Sequence, residues 1–141
     1  MVAFLKYLAV FLIFGFIWFF IFSIPVSKNK NVFVALQKEL KIGALPNYLL
    51  ELKFGKDYNK KIKLNVLPKT LKVLEFGDDY NQDLELYIFP DSIEVLIFGK
   101  NFKKPINKHL LPLHLKKLVL PKDYSFNITE FIDVNFVIEF I

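Results

Sequence analysis

The residues equipped for chemistry fall into a regularly spaced set. Asp57, Asp79, Asn101 and Asp123 recur every 22 residues, each two positions after Gly55, Gly77, Gly99 or Pro121. A column of carboxylates could hold a cation with a hydrolase built on it, or it could be a structural ladder. A hard cation such as calcium takes roughly six to eight oxygens converging on one point, whereas members of a periodic column are strung out along an axis. A short Asx side chain just past a strand instead bonds the backbone N–H groups of the following bend, and the pattern favours that reading. His109 and His114 stand in different contexts in a chain without cysteine, which places them in loops or on the surface rather than around a metal. No Ser-His-Asp order, phosphate-cradling glycine loop or paired-carboxylate cleft occurs. The sequence therefore predicts no enzyme, no cofactor and no metal site, and a metal-dependent hydrolase on the Asp column is the competing reading.

The elements that would position such residues are repeats. The text LPNYLLELKFGKDYNKKIKLNV from Leu45 returns in altered form from Leu67, Phe89 and Leu111, without insertion or deletion. Its apolar columns are explicit: Leu49, Leu71, Ile93 and Leu115; Leu52, Leu74, Leu96 and Leu118; Phe54, Phe76, Phe98 and Leu120; Tyr58, Tyr80, Phe102 and Tyr124. A fixed period with aligned apolar columns is the signature of a solenoid, in which coils bury their side chains on one another. The fold expected is a mainly β solenoid of short parallel strands in 22-residue coils, 45–66, 67–88, 89–110 and 111–132. Pro46, Pro68, Pro90 and Pro112 precede the strands, where a missing N–H costs no ladder bond. Pro121 stands where the other coils have Gly, so either that column needs no positive φ or the last turn differs. Residues 133–141 read as a degenerate cap, with Val137 and Phe140 on the two leucine columns.

Ahead of the repeats, Leu8–Val26 carries no charge and holds five Phe between Phe11 and Phe20. As a helix it would span roughly 28 Å, about the hydrocarbon thickness of a bilayer. Residues 1–26 are therefore expected to form a transmembrane anchor. A cleaved signal peptide is the rival, disfavoured by the lack of an A-x-A-like site and by Pro25; a buried core helix is the third reading. Lys28, Lys30, Lys38 and Lys41 follow the run and only Lys6 precedes it, which favours a single-pass protein with cytosolic repeats. A sequon at Asn127-Ile128-Thr129 and the signal-peptide reading point instead to a lumenal or secreted chain. In 27–44, a linker leads to a short capping helix over 32–41, with Asn31 at its start and Gly43 at its end.

The repeated Leu-Pro-x-x-Leu-x-x-Leu-x-Phe-Gly, followed by Tyr80-Asn81-Gln82-x-Leu84 and by Phe102 with Pro105-Ile106, resembles the FNIP repeat, a short relative of the leucine-rich repeat. The resemblance covers about Leu45 to Ile132. It implies a ligand-binding solenoid, in some members joined to an F-box, and a family known mainly from social amoebae and large DNA viruses. The first 44 residues show no F-box-like pattern, and Lys103 and Ser125 depart from the family Asn.

The charge balance of +5 comes from 19 lysines and no arginine. Without the bidentate guanidinium, base reading and phosphate forking are poorly served, so no nucleic-acid partner is expected. Lys and Asn in such numbers with no Arg also suit an AT-rich genome. A protein partner is expected on the outward strand positions: Val73, Glu75, Val95, Ile97, Lys117 and Val119, with Glu51 and Lys53 at the edge. Such an apolar centre on an exposed face usually marks a binding site, although β-propensity alone would also put branched residues there. A purely structural solenoid that self-associates through its edges is the remaining alternative.

Overall fold

The computed structural model describes residues 22–27, 30–35, 39–131 and 135–141. Seven strands form one sheet in chain order: β1 (Phe22–Ser27), β2 (Lys30–Ala35), β3 (Glu51–Phe54), β4 (Val73–Glu75), β5 (Val95–Ile97), β6 (Lys117–Leu120) and β7 (Val137–Phe140). All neighbours from β2 onward are parallel, as expected of a chain that returns to the same side once per coil. Backbone bonds run from coil to coil as well as within strands. The N–H groups of Lys72 and Val73 both donate to the Leu50 carbonyl, those of Glu94 and Val95 to Lys72, and those of Lys116 and Lys117 to Glu94.

Behind the sheet, Leu52, Leu74, Leu96 and Leu118 are aligned in register and essentially inaccessible. Beside them run two columns of aromatic rings. Phe54, Phe76 and Phe98 stack at 5.3 and 5.2 Å with nearly parallel planes; Tyr58, Tyr80, Phe102 and Tyr124 stack at 6.2 to 6.3 Å. Within each of the first three coils the two columns meet, at 4.1 Å for Phe54–Tyr58, 3.9 Å for Phe76–Tyr80 and 4.0 Å for Phe98–Phe102. Each such pair adds ~1 kcal/mol beyond the area it buries.

Two turns per coil are written by the repeat. The carbonyls of Pro46, Pro68, Pro90 and Pro112 accept from the N–H three residues on, at 3.1 to 3.3 Å. After the strand, the carbonyls of Gly55, Gly77, Gly99 and Pro121 accept likewise from Tyr58, Tyr80, Phe102 and Tyr124. Gly77 and Gly99 are not left-handed. What they supply is the missing Cβ: one built on Gly77 would stand 2.1 Å from the Gly55 carbonyl oxygen, and one on Gly99 2.4 Å from that of Gly77. The column requires no positive φ, so Pro121 is not barred from it on that ground. The left-handed positions lie elsewhere, at Gly43, Asn65 and Tyr87, again 22 residues apart.

Both ends differ from expectation. Of the capping helix expected over 32–41, 36–38 lie outside the described residues and the part before them is not helical: Lys30–Ala35 is a strand, parallel to β3 with Phe33 in register with Leu52. The N–H and C=O groups on the free side of β3 offer it a ladder, and a run rich in Val and Phe suits a strand. Gly43 accordingly ends no helix and serves as the first left-handed turn residue. The expected anchor falls mostly outside the described residues, and its last part, from Phe22, is extended in β1, antiparallel to β2. Pro25 lies next to a shift in that pairing, at home in an edge strand. Among the described residues, no helix is long and apolar enough to cross a membrane.

At the other end, β7 pairs Leu118 with Ile138 and Leu120 with Phe140. The fifth coil is two residues shorter than the others, so Val137 and Phe140 do not take the two leucine columns. A shift of two keeps the inward and outward alternation. It also sets two apolar residues beside the core columns of β6, where the 22-residue register would have set one.

Leu74→Asp places a carboxylate between Leu52 and Leu96 with no counter-charge and should cost several kcal/mol, enough to unfold the coils. Glu75→Ala, which removes only a surface ion pair with Lys53, should cost less than ~1 kcal/mol. Chemical denaturation followed by circular dichroism distinguishes the two. Gly77→Ala should destabilise by at least ~1–3 kcal/mol, because its Cβ meets backbone that cannot yield.

Candidate partner-binding face

The outward positions of the strands make two columns on one face. Glu51, Val73, Val95, Lys117 and Val137 are mutually in register, as are Lys53, Glu75, Ile97, Val119 and Glu139. Both columns alternate with the buried leucines, so the residues singled out from the sequence do share a face. Val73, Val95 and Ile97 are half-buried at its centre. Val119 is not available to a partner: it is 4% exposed, with Ile97 and Glu139 in register on either side. The face is bounded by ion pairs, Lys53–Glu75 at 2.6 Å and Lys117–Glu139 at 2.8 Å. Glu139 and Val137 were missed because the short fifth coil shifts them into these columns; the alternation over Val137 to Phe140 was the available signal.

Along the rim of the face, Glu94 sits between two lysines of the adjacent coils, Lys72 at 2.8 Å and Lys116 at 2.5 Å. Their hydrogen bonds hold its carboxyl down at about 2. Thr70 and Ser92 donate to carbonyls of the preceding coil, and His114 Nδ1, facing the Asp91 carbonyl at 3.0 Å, does the same. His109 is exposed in a short 3-10 turn, Lys108–Leu110, with its N–H on Asn107 Oδ1.

The Asx residues bond between coils rather than within their own bend. Asn101 Nδ2 donates to Asp79 Oδ1 at 3.0 Å, and Asp78 Oδ1 accepts from the Lys100 N–H. Two residues beyond each Asp lies a second ladder: Asn59 Oδ1 accepts from the Asn81 N–H at 3.0 Å, and Asn81 Oδ1 from the Lys103 N–H at 2.9 Å. At Lys103 the ladder stops, and that residue instead reaches Asp123 at 3.5 Å. Among the described residues no three His, Asp or Glu side chains gather as ligands for a metal.

The FNIP Repeat family model matches residues 37–79 and 80–123, two coils at a time. The chain belongs to the FNIP repeat family. A search of the curated proteins returns no match. Among solved structures, the crystal structure of CroV588, described as a novel circular LRR protein, is 31% identical with a TM-score of 0.49. It covers 67% of this chain, which spans only 18% of that one. The columns that carry the resemblance are those that join coil to coil: Leu of the strand and Phe of the first ring stack in the core, Gly of the close approach and Asn of the outer ladder at the turns.

The second ring stack carries hydroxyls the core does not need. Burial, with Glu39 nearby, pushes the Tyr58 phenol up to about 12, and burial raises Tyr80 further still. Tyr80 OH is buried with no hydrogen-bond partner among the described residues. By contrast, Tyr124 OH accepts from the Ile106 N–H and donates to the Lys104 carbonyl. Phe102 already stands in this column, so Tyr80→Phe should leave stability unchanged or raise it by up to ~1 kcal/mol. Because the folded phenols lose their protons at higher pH than unfolded ones, their contribution is complete below pH ~10 and is lost as pH rises toward 12. Alkaline unfolding should therefore shift to higher pH in Tyr80→Phe, read by circular dichroism.

Proposed function

We propose that this chain is a non-enzymatic interaction module whose coils hold a protein partner on the sheet face. The observation that carries the reading is the apolar centre of Val73, Val95 and Ile97 between two ion pairs. A desolvated apolar centre inside a charged rim is the anatomy of a specific protein interface. Glu75 and Lys117 then set the register of the partner by charge, while Val119, covered by its neighbours, makes no contact with it.

A membrane tether belongs to the same proposal. The uncharged, Phe-rich run that opens at Leu8 is what supports it. The lysines that follow favour coils on the cytosolic side. Resistance of the full chain to alkaline extraction from membranes tests the tether, and release would end that part of the proposal.

Replacing Val95 and Ile97 together with Lys should abolish retention of the cytosolic partner in cross-linking from the native host, with the melting temperature shifted by only a few degrees. Undiminished retention would remove the sheet face as the binding site.

A further inference from the structure

Away from the sheet face, where each coil passes into the next, a groove is lined by Asn65, Lys69, Tyr87 and Asp91 over a floor of Leu67 and Phe89. Three features of it point outward from the coils. Tyr87 is 80% exposed and left-handed, φ 64°, a conformation that a bulky side chain adopts only under strain. It makes no hydrogen bond or ring contact with the described residues. Leu64 and Leu86, adjoining the groove, are about half exposed, and Ile42 in the same column is 73% exposed. Lys69 and Asp91 stand 22 residues apart in one column, both exposed; neither has an ion-pair partner among the described residues, and Asp91 Oδ1 accepts only the long 3.4 Å bond from the Leu113 N–H.

We propose that a second copy of this chain docks on this groove with its coil axis reversed. A twofold axis lying in the contact plane and across the coils returns each column to itself and inverts the order of levels. Placed between the level of Lys69 and the level of Asp91, it sets Lys69 against Asp91 of the partner subunit, and Asp91 against Lys69 of the partner subunit. The same operation brings Leu64 to Leu86 of the partner subunit, and Tyr87 to Asn65 of the partner subunit. Moving the axis half a coil, onto the level of Lys69, would set Lys69 against its own symmetry mate. That like-charge contact excludes the neighbouring register. The surface is thus complementary to itself in charge and in apolar pattern at a single register. An exposed aromatic held in a strained turn is then an interface anchor. This contact leaves the sheet face free for the partner proposed above and does not depend on it.

The charge pair supplies the test. The full chain in a mild detergent should sediment as a dimer at concentrations up to about 100 µM, an affinity range ordinary for a modest interface. Lys69→Asp and Asp91→Lys should each weaken the dimer by about tenfold or more, and the double exchange K69D/D91K should restore it. Restoration also shows that neither substitution harms folding, since the double variant carries both. A wild-type chain that stays monomeric gives the groove to another occupant, a lipid surface or a different protein, and overturns the proposal. Dimers indifferent to the single exchanges, such as dimers held by the N-terminal apolar run, overturn it equally, as does failure of the double exchange to restore association.

Discussion

The approach of one glycine to another sets the distance at which the first three coils stack. With a Cβ on Gly77 only 2.1 Å from the Gly55 carbonyl oxygen, a side chain at that position would force the first two coils apart, whereas the fourth coil carries Pro121 in the same column. At the distance glycine allows, the strands pair in parallel, the phenylalanine rings stack in near-parallel planes, and the Asn59–Asn81 ladder closes at 3.0 Å. Relaxing that contact would weaken all three together, because each is a coil-to-coil interaction repeated at the same pitch. In a solenoid such contacts between neighbours carry most of the stability: a single coil has nothing to bury its leucines against.

The same pitch organises the charges. Among the described residues no polar or charged residue is buried, and the ion pairs lie at the surface, many of them linking adjacent coils, as in Lys72–Glu94–Lys116. Exposed pairs contribute little each. Their arrangement matters more for recognition, since the sheet face owes its bounded apolar centre to the Lys53–Glu75 and Lys117–Glu139 pairs. The groove on the other turn has opposite charges, Lys69 and Asp91, with no ion-pair partner among the described residues. The two surfaces therefore suit different kinds of contact, and a single molecule could use both at once.

The middle of the molecule was legible in the sequence because periodicity averages over four copies: no single Leu identifies a core position, but a column does. The strand register, the turns at Pro and Gly and the shared outward face all came from that averaging. The ends have no such redundancy. Val32 to Lys41 offered apolar residues at a helical spacing, yet the open side of β3 recruited its first part as a strand. Val137 and Phe140 fitted the expected columns on spacing alone, and only the pairing of β7 with β6 reveals the coil to be shorter. Val119 was misjudged for a related reason. Alternation states which face a side chain takes, not how far its neighbours cover it. The left-handed column at Gly43, Asn65 and Tyr87 was hidden because its three residues share no chemistry.

The two ring stacks do not keep the same spacing. Phenylalanines next to the strands lie 5.2 to 5.3 Å apart, while the rings of the column beyond the turn lie 6.2 to 6.3 Å apart. Each coil is consequently a thin wedge, narrow on the strand side, and a stack of wedges bends toward its narrow side. The sheet forms the inner, concave wall of an arc, so a partner seated on Val73, Val95 and Ile97 would be cradled by its flanks. Adding further coils of the same shape would lengthen the arc and carry its two ends around toward each other.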